Sequence, residues 1–105
     1  MADKTASRTV TVLNEQGVHL RPADLFVRLA KRFESQVEVL KDGQCVDGKS
    51  ILDMITLSAV KGSKLIIRTT GPDAEQALDA LVDLFQRKFD QPQDNEQQTA
   101  DQQQA

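Results

Sequence analysis

His19 is the only histidine in this chain of 105 residues, and it stands in the string Gln16-Gly17-Val18-His19-Leu20-Arg21-Pro22-Ala23. An imidazole titrates near neutral pH and is a nucleophile when uncharged. Behind it, Phe26, Leu29, Ala30 and Phe33 recur at the spacing of one helical face. Pro22 suits a first helical turn, where its missing N–H would have had no partner anyway. The spacing therefore predicts a helix over about Pro22 to Phe33, with His19 at or just before its start. There the ring would lie among unpaired backbone N–H groups and the positive end of the helix dipole. Such a helix start is a ready anion site, and Arg21 adds a forked cation nearby. A nucleophile beside an anion cradle is the chemistry of a histidine that carries a phosphoryl group. A lone histidine at a helix start is also often a plain cap or surface residue, and a lone arginine a solvated side chain. The weight rests on the whole string.

Composition narrows the function class. A chain of this length makes one small domain with a single modest core. With four Phe, no Trp and no Tyr, that core must be mainly Leu, Val and Ile. No apolar run approaches the roughly 18 residues of a membrane span, and the stretch Met1 to Arg8 lacks the apolar segment of a secretory signal. The single cysteine, Cys45, has no partner for an internal disulfide or a thiolate metal site and is read as a strand filler without chemistry. One His and one Cys offer no metal cluster, and Ser50 lies in no hydrolase elbow. A cytoplasmic location is expected. The net charge of -3 comes from the tail, where Asp94, Glu96 and Asp101 stand without a Lys or Arg. The preceding residues are balanced, which leaves neither the basic face of a nucleic-acid binder nor a polybasic membrane signal. A protein partner or a small anion fits better.

The elements that must hold His19 can be read in order. Arg8 to Asn14 alternates β-branched and polar residues as a half-buried strand does. After the His19 helix, Gln36 to Lys41 alternates again, Asp42-Gly43 signals a tight hairpin, and Gln44 to Asp47 forms a third strand. Ser50 and Asp53 form a capping box for a short helix whose Ile51, Leu52, Met54, Ile55 and Leu57 are apolar nearly all round. One side should meet the core and the other leave an aliphatic contact patch. Lys64 to Thr70 is a β-prone fourth strand, and Gly71-Pro72 turns the chain. Asp73 is expected to cap the last helix, with Gln76 at the capping-box position and an inner stripe of Ala77, Leu78, Leu81, Val82, Phe85 and Phe89. From Gln91 the chain turns to Gln, Asp and Asn and cannot offset its ordering entropy. The expected organisation is a flexible N-terminus (1–7), a domain (8–90) and a disordered Gln-rich tail (91–105). The order βαββαβα is an α+β pattern, with helices packed on one face of a mostly antiparallel sheet.

Gly17-Val18-His19-Leu20-Arg21-Pro22-Ala23 and the helix after it resemble the active-site segment of the HPr family, the histidine-containing phosphocarriers of the bacterial phosphoenolpyruvate-dependent sugar phosphotransferase system. The resemblance extends over about residues 8–90 and implies an HPr-like open-faced β-sandwich of four antiparallel strands with three helices on one face. It implies a stoichiometric carrier rather than an enzyme, with no cofactor or metal, and a monomer. His19 would accept phosphate from phosphorylated enzyme I on the ring nitrogen nearer the backbone and pass it to sugar-specific enzyme II acceptor domains. Arg21 would stabilise the phosphate, and Leu20, Ile51, Leu52 and Ile55 would form the partner surface. Leu20 departs from the Thr or Ala common at that place, which bears on partner choice. Gly48-Lys49-Ser50-Ile51 resembles the family's regulatory serine region, so Ser50 would be a target of an HPr kinase/phosphorylase and its phosphate would be read by a regulator; the plain alternative is a capping serine. Two further readings stay open: a regulatory paralogue in nitrogen or carbon control, and a module that binds an anion or partner without phosphotransfer.

Overall fold

The computed structural model describes residues 4–15 and 17–89. Expectations for residues 1–3, Gln16 and 90–105, the Gln-rich tail among them, lie outside the described residues. The elements are β1 (Lys4–Thr11), α1 (Leu20–Ala30), β2 (Gln36–Lys41), β3 (Gln44–Asp47), α2 (Ile51–Thr56), β4 (Lys64–Gly71) and α3 (Ala74–Gln86). The four strands form one sheet in the order β1-β4-β2-β3, with every neighbouring pair antiparallel. Asp42 and Gly43 both have positive φ, 51° and 83°, as a two-residue hairpin turn requires.

The alternation in the strands decides which face the helices cover. Leu65, Ile67 and Thr69 of β4 and Val37 and Val39 of β2 are buried, while Lys64 and Ile66 stay exposed. Against the buried face lie Phe26 and Ala30 of α1, Met54 of α2 and Leu81 and Phe85 of α3, one continuous core. The rings of Phe26 and Phe85 meet edge to face at 5.8 Å, which ties α1 to α3. On the open face Arg68 Nε pairs with Glu38 Oε1 at 2.8 Å and lowers that carboxyl below its usual range.

Three sequence expectations change. The first strand begins at Lys4, not Arg8: residues 4–7, expected in a flexible N-terminus, pair with β4 from Lys4↔Gly71 to Ser7↔Arg68. Their composition carries little hydrophobic signal; the partner strand supplies the bonds. The capping box at α2 is half formed. Ser50 Oγ accepts from the Asp53 amide at 3.2 Å, but the Asp53 carboxylate accepts from the Asp47 amide at 3.1 Å instead of closing the box. Asp73 holds the N-cap position of α3, yet its side chain does not cap that helix. It reaches the α1–β2 connection, accepting from the Glu34 amide (3.0 Å), the Ser35 amide (2.9 Å) and the Ser35 hydroxyl (2.5 Å). The Ser35 hydroxyl and then the Glu34 amide hold its carboxyl below the ordinary 3.8.

Candidate functional site

The approach to His19 is fixed by backbone geometry. Gly17 has φ 74°, and a Cβ there would lie 2.3 Å from the Ala59 carbonyl oxygen, so only glycine fits. The Gly17 amide donates to the Asn14 carbonyl at 3.1 Å, the Val18 amide donates to the Ala59 carbonyl at 2.8 Å, and the Asn14 side-chain amide donates to the Gly17 carbonyl. Val18 is buried. The loop is thus clamped on the segment before β4, and the next residue turns outward.

His19 is exposed and occupies the N-cap position of α1 with φ -101° and ψ -161°. Its backbone carbonyl accepts the first helical bond from the Ala23 amide at 2.9 Å, while its side chain makes no cap bond. The ring is therefore not committed to the helix it precedes. Pro22 and Ala23 are buried and anchor the first turn, whose N–H groups have no acceptor within the helix. Leu20 and Arg21, both exposed, are its first two residues. His19 and Arg21 line an open depression of about 310 Å³ with Asn14, Glu15, Pro22, Leu25, Lys88 and Phe89. An anion held beside the imidazole would meet the guanidinium and the helix start together.

Of those lining residues the sequence reading placed only His19 and Arg21 at the site; Lys88 and Phe89 are the most distant along the chain of those it missed. Lys88 and Phe89 follow α3 with φ 56° and 64°, and the Phe89 amide bonds back to the Leu84 carbonyl at 2.9 Å. The Phe89 ring is buried edge to face on Phe85 at 4.8 Å, so the chain winds back toward His19 rather than away. The inner stripe flagged Phe89 as core, but nothing local tells which loop it would face. Glu15 at the rim pairs with Lys61 at 2.6 Å; that bond and charge hold its carboxyl below the ordinary 4.5, with Lys88 adding a smaller pull.

The residues expected on the partner surface differ in exposure. Leu20 (63%), Leu52 (75%) and Ile55 (36%) are exposed, with α2 packed beside α1. Ile51 is half-buried and packed against the core, so it offers less of its side chain to solvent than Leu52. A helix apolar all round gives no local signal of which side turns inward. Val60, unremarked in the sequence, is 64% exposed; its Cα would lie 2.9 Å from a Cβ on Gly17, which sets it beside the His19 loop. Ser50 is half-buried at the start of α2, on the same helix as Leu52 and Ile55. Cys45 is exposed, its thiol 3.6 Å from Glu38 Oε2. Among the described residues no cluster of His, Cys, Asp and Glu could hold a metal, and no helix is long and apolar enough to cross a membrane.

Comparison with known proteins converges on one family. Residues 6–87 match the family model described as "PTS HPr component phosphorylation site". A phosphocarrier protein HPr of Treponema pallidum (strain Nichols) is 44% identical over 84 residues, covering 80% of this chain and 96% of that protein. One from Pseudomonas aeruginosa is 42% identical over 83 residues, covering 78% and 92%. Among solved structures, HPr-C-His from Thermoanaerobacter tengcongensis superposes with a TM-score of 0.78 at 40% identity, covering 80% of this chain and 94% of that one.

Proposed function

Since this chain belongs to the HPr family of phosphocarrier proteins of the phosphotransferase system, we propose that His19 is the residue that takes up and hands on the phosphoryl group. The observation that carries this is an exposed imidazole at the α1 N-cap whose side chain makes no cap bond and which shares a depression with Arg21. In the reaction, the lone pair of His19 Nδ1, the ring nitrogen nearer the backbone, attacks phosphorus. The bond from phosphorus to the donor atom breaks, and its electron pair stays with the donor. Nε2 keeps its proton during attack, so the ring carries positive charge until it loses that proton or passes the phosphoryl group on. Arg21 and the first-turn N–H groups stabilise the phosphoryl oxygens. Because the site is open and charge-based rather than enclosed, it holds the group without trapping it, as a carrier requires. The donor is phosphorylated enzyme I, the acceptors are enzyme II domains, and the setting is the cytoplasm. Leu20, Leu52, Ile55 and Val60, with the half-buried Ile51, form the docking surface.

Incubation with enzyme I and labelled phosphoenolpyruvate tests this reading. The protein should take up label that is acid-labile and alkali-stable, and His19→Ala should take up none. Equal labelling of that variant would overturn the assignment. Ser50 is the proposed regulatory site. A phosphate there adds about two negative charges on the helix that carries Leu52 and Ile55 and weakens docking there. ATP-dependent, acid-stable label that disappears in Ser50→Ala would support it; its absence in the presence of an HPr kinase/phosphorylase would leave Ser50 a helix cap.

A further inference from the structure

The end of α3 is built at a conformational cost that a carrier resting on His19 and Arg21 leaves unexplained. Lys88 and Phe89 are consecutive non-glycine residues in the left-handed region, φ 56° and 64°, where a Cβ is disfavoured. The Lys88 amide bond to the Phe85 carbonyl at 3.0 Å, the Phe89 amide bond to Leu84 at 2.9 Å and the buried Phe89 ring hold the pair there. This winding sets Lys88, an exposed cation, on the lining of the depression that contains His19 and Arg21. Among the described residues Glu15 is the one carboxylate on that lining, and its close partner is Lys61 at 2.6 Å.

We propose that Lys88 is a second cation of the phosphoryl site, contacting the oxygens of phosphate carried on His19 together with Arg21. This rests on His19 being the phosphoryl acceptor and adds a residue to that site. The two cations come from separate elements, the first turn of α1 and the wound-back end of α3. Their chemistry differs as well. A guanidinium fixes two oxygens in a plane, whereas an ammonium on a flexible stem follows the group as it arrives and leaves. The phosphorylated form is then stabilised in a salt-dependent way.

The discriminating measurement is the equilibrium constant for phosphoryl exchange between enzyme I and the full chain, in wild type, Lys88→Gln and Lys88→Arg. A purely docking role for Lys88 changes forward and reverse rates alike and leaves that constant where it is. Contact with the phosphate lowers it about threefold in Lys88→Gln at low salt, restores it in Lys88→Arg, and shrinks the difference as salt rises. In wild type the side-chain NMR signals of Lys88 should shift on phosphorylation more than those of Lys61. An unchanged constant in Lys88→Gln, or a loss that Lys88→Arg does not restore, would overturn the proposal. A wild-type protein that takes no label on His19 would overturn the earlier reading too; labelled wild type with an unaltered Lys88→Gln variant removes Lys88 alone.

Discussion

α1 and α3 each begin at a polar residue in the N-cap position, and the two residues are put to opposite uses. His19 makes no side-chain bond at the start of α1 and leaves that helix end open to solvent. Asp73, before α3, commits both carboxylate oxygens to Glu34 and Ser35 in the segment that follows the far end of α1. The two sites are separated by the 11 residues of α1, about 16 Å of helix. At one end a polar side chain closes a buried junction, since Ser35 is only 1% exposed. At the other, Gly17, Val18, Ala59 and the Asn14 side chain do the holding, and the His19 side chain takes no part in it. The start of α1 is fixed by groups other than the His19 side chain, which is what the proposed phosphoryl chemistry needs.

Replacing the two residues should separate activity from stability. His19→Ala is expected to abolish phosphoryl uptake while thermal melting stays within about 0.5 kcal/mol of wild type; a large loss of stability would mean the ring is part of the scaffold. Gly17→Ala attacks the holding element itself. The new Cβ meets the Ala59 oxygen at a positive φ, so stability should fall by more than about 1 kcal/mol and uptake should slow with it. Normal uptake in that variant would show that the clamp is dispensable.

Asp73→Asn is the converse of His19→Ala: Tm should drop by on the order of several degrees while the folded protein still takes up phosphate. Its pH dependence carries a sign. The folded carboxyl lies below its ordinary 3.8, so its stabilisation is complete above that value and is lost as pH falls through it toward the depressed one. The Tm gap between wild type and Asp73→Asn should therefore close in acid and persist at neutral pH. Ser50→Ala has the smallest expected effect, about 1 kcal/mol of stability from the lost cap, with His19 labelling unchanged.

Much of this arrangement could be read along the chain. The order of strands and helices, the Asp42-Gly43 hairpin and the Ser50 cap to Asp53 follow from signals within a few residues of each other. So does the exposed His19 at a helix start, which needs only the glycine before it and the proline after it. The failures are all of another kind. Lys4 to Ser7 pair because β4 extends far enough to receive them. Asp73 would cap α3 if Ser35 were not within reach. Val60 stays outside and Ile51 only half-covered for reasons set by what packs beside them. Lys88 reaches the His19 depression because Phe89 finds Phe85.

The sequence by itself determined the order of the folded elements, the family of the chain and the place of its one histidine at a helix start, because periodicity, turn chemistry and a short motif record contacts close along the backbone. Only the tertiary structure decided which charges surround that histidine, where the open helix end is braced and which aliphatic side chains remain outside. Those depend on pairings across the sheet and between helices, such as Arg8 against Ile67 or Phe26 against Phe85, separated by dozens of residues. No local pattern carries that information, since each such partner is chosen by the packing of the whole core.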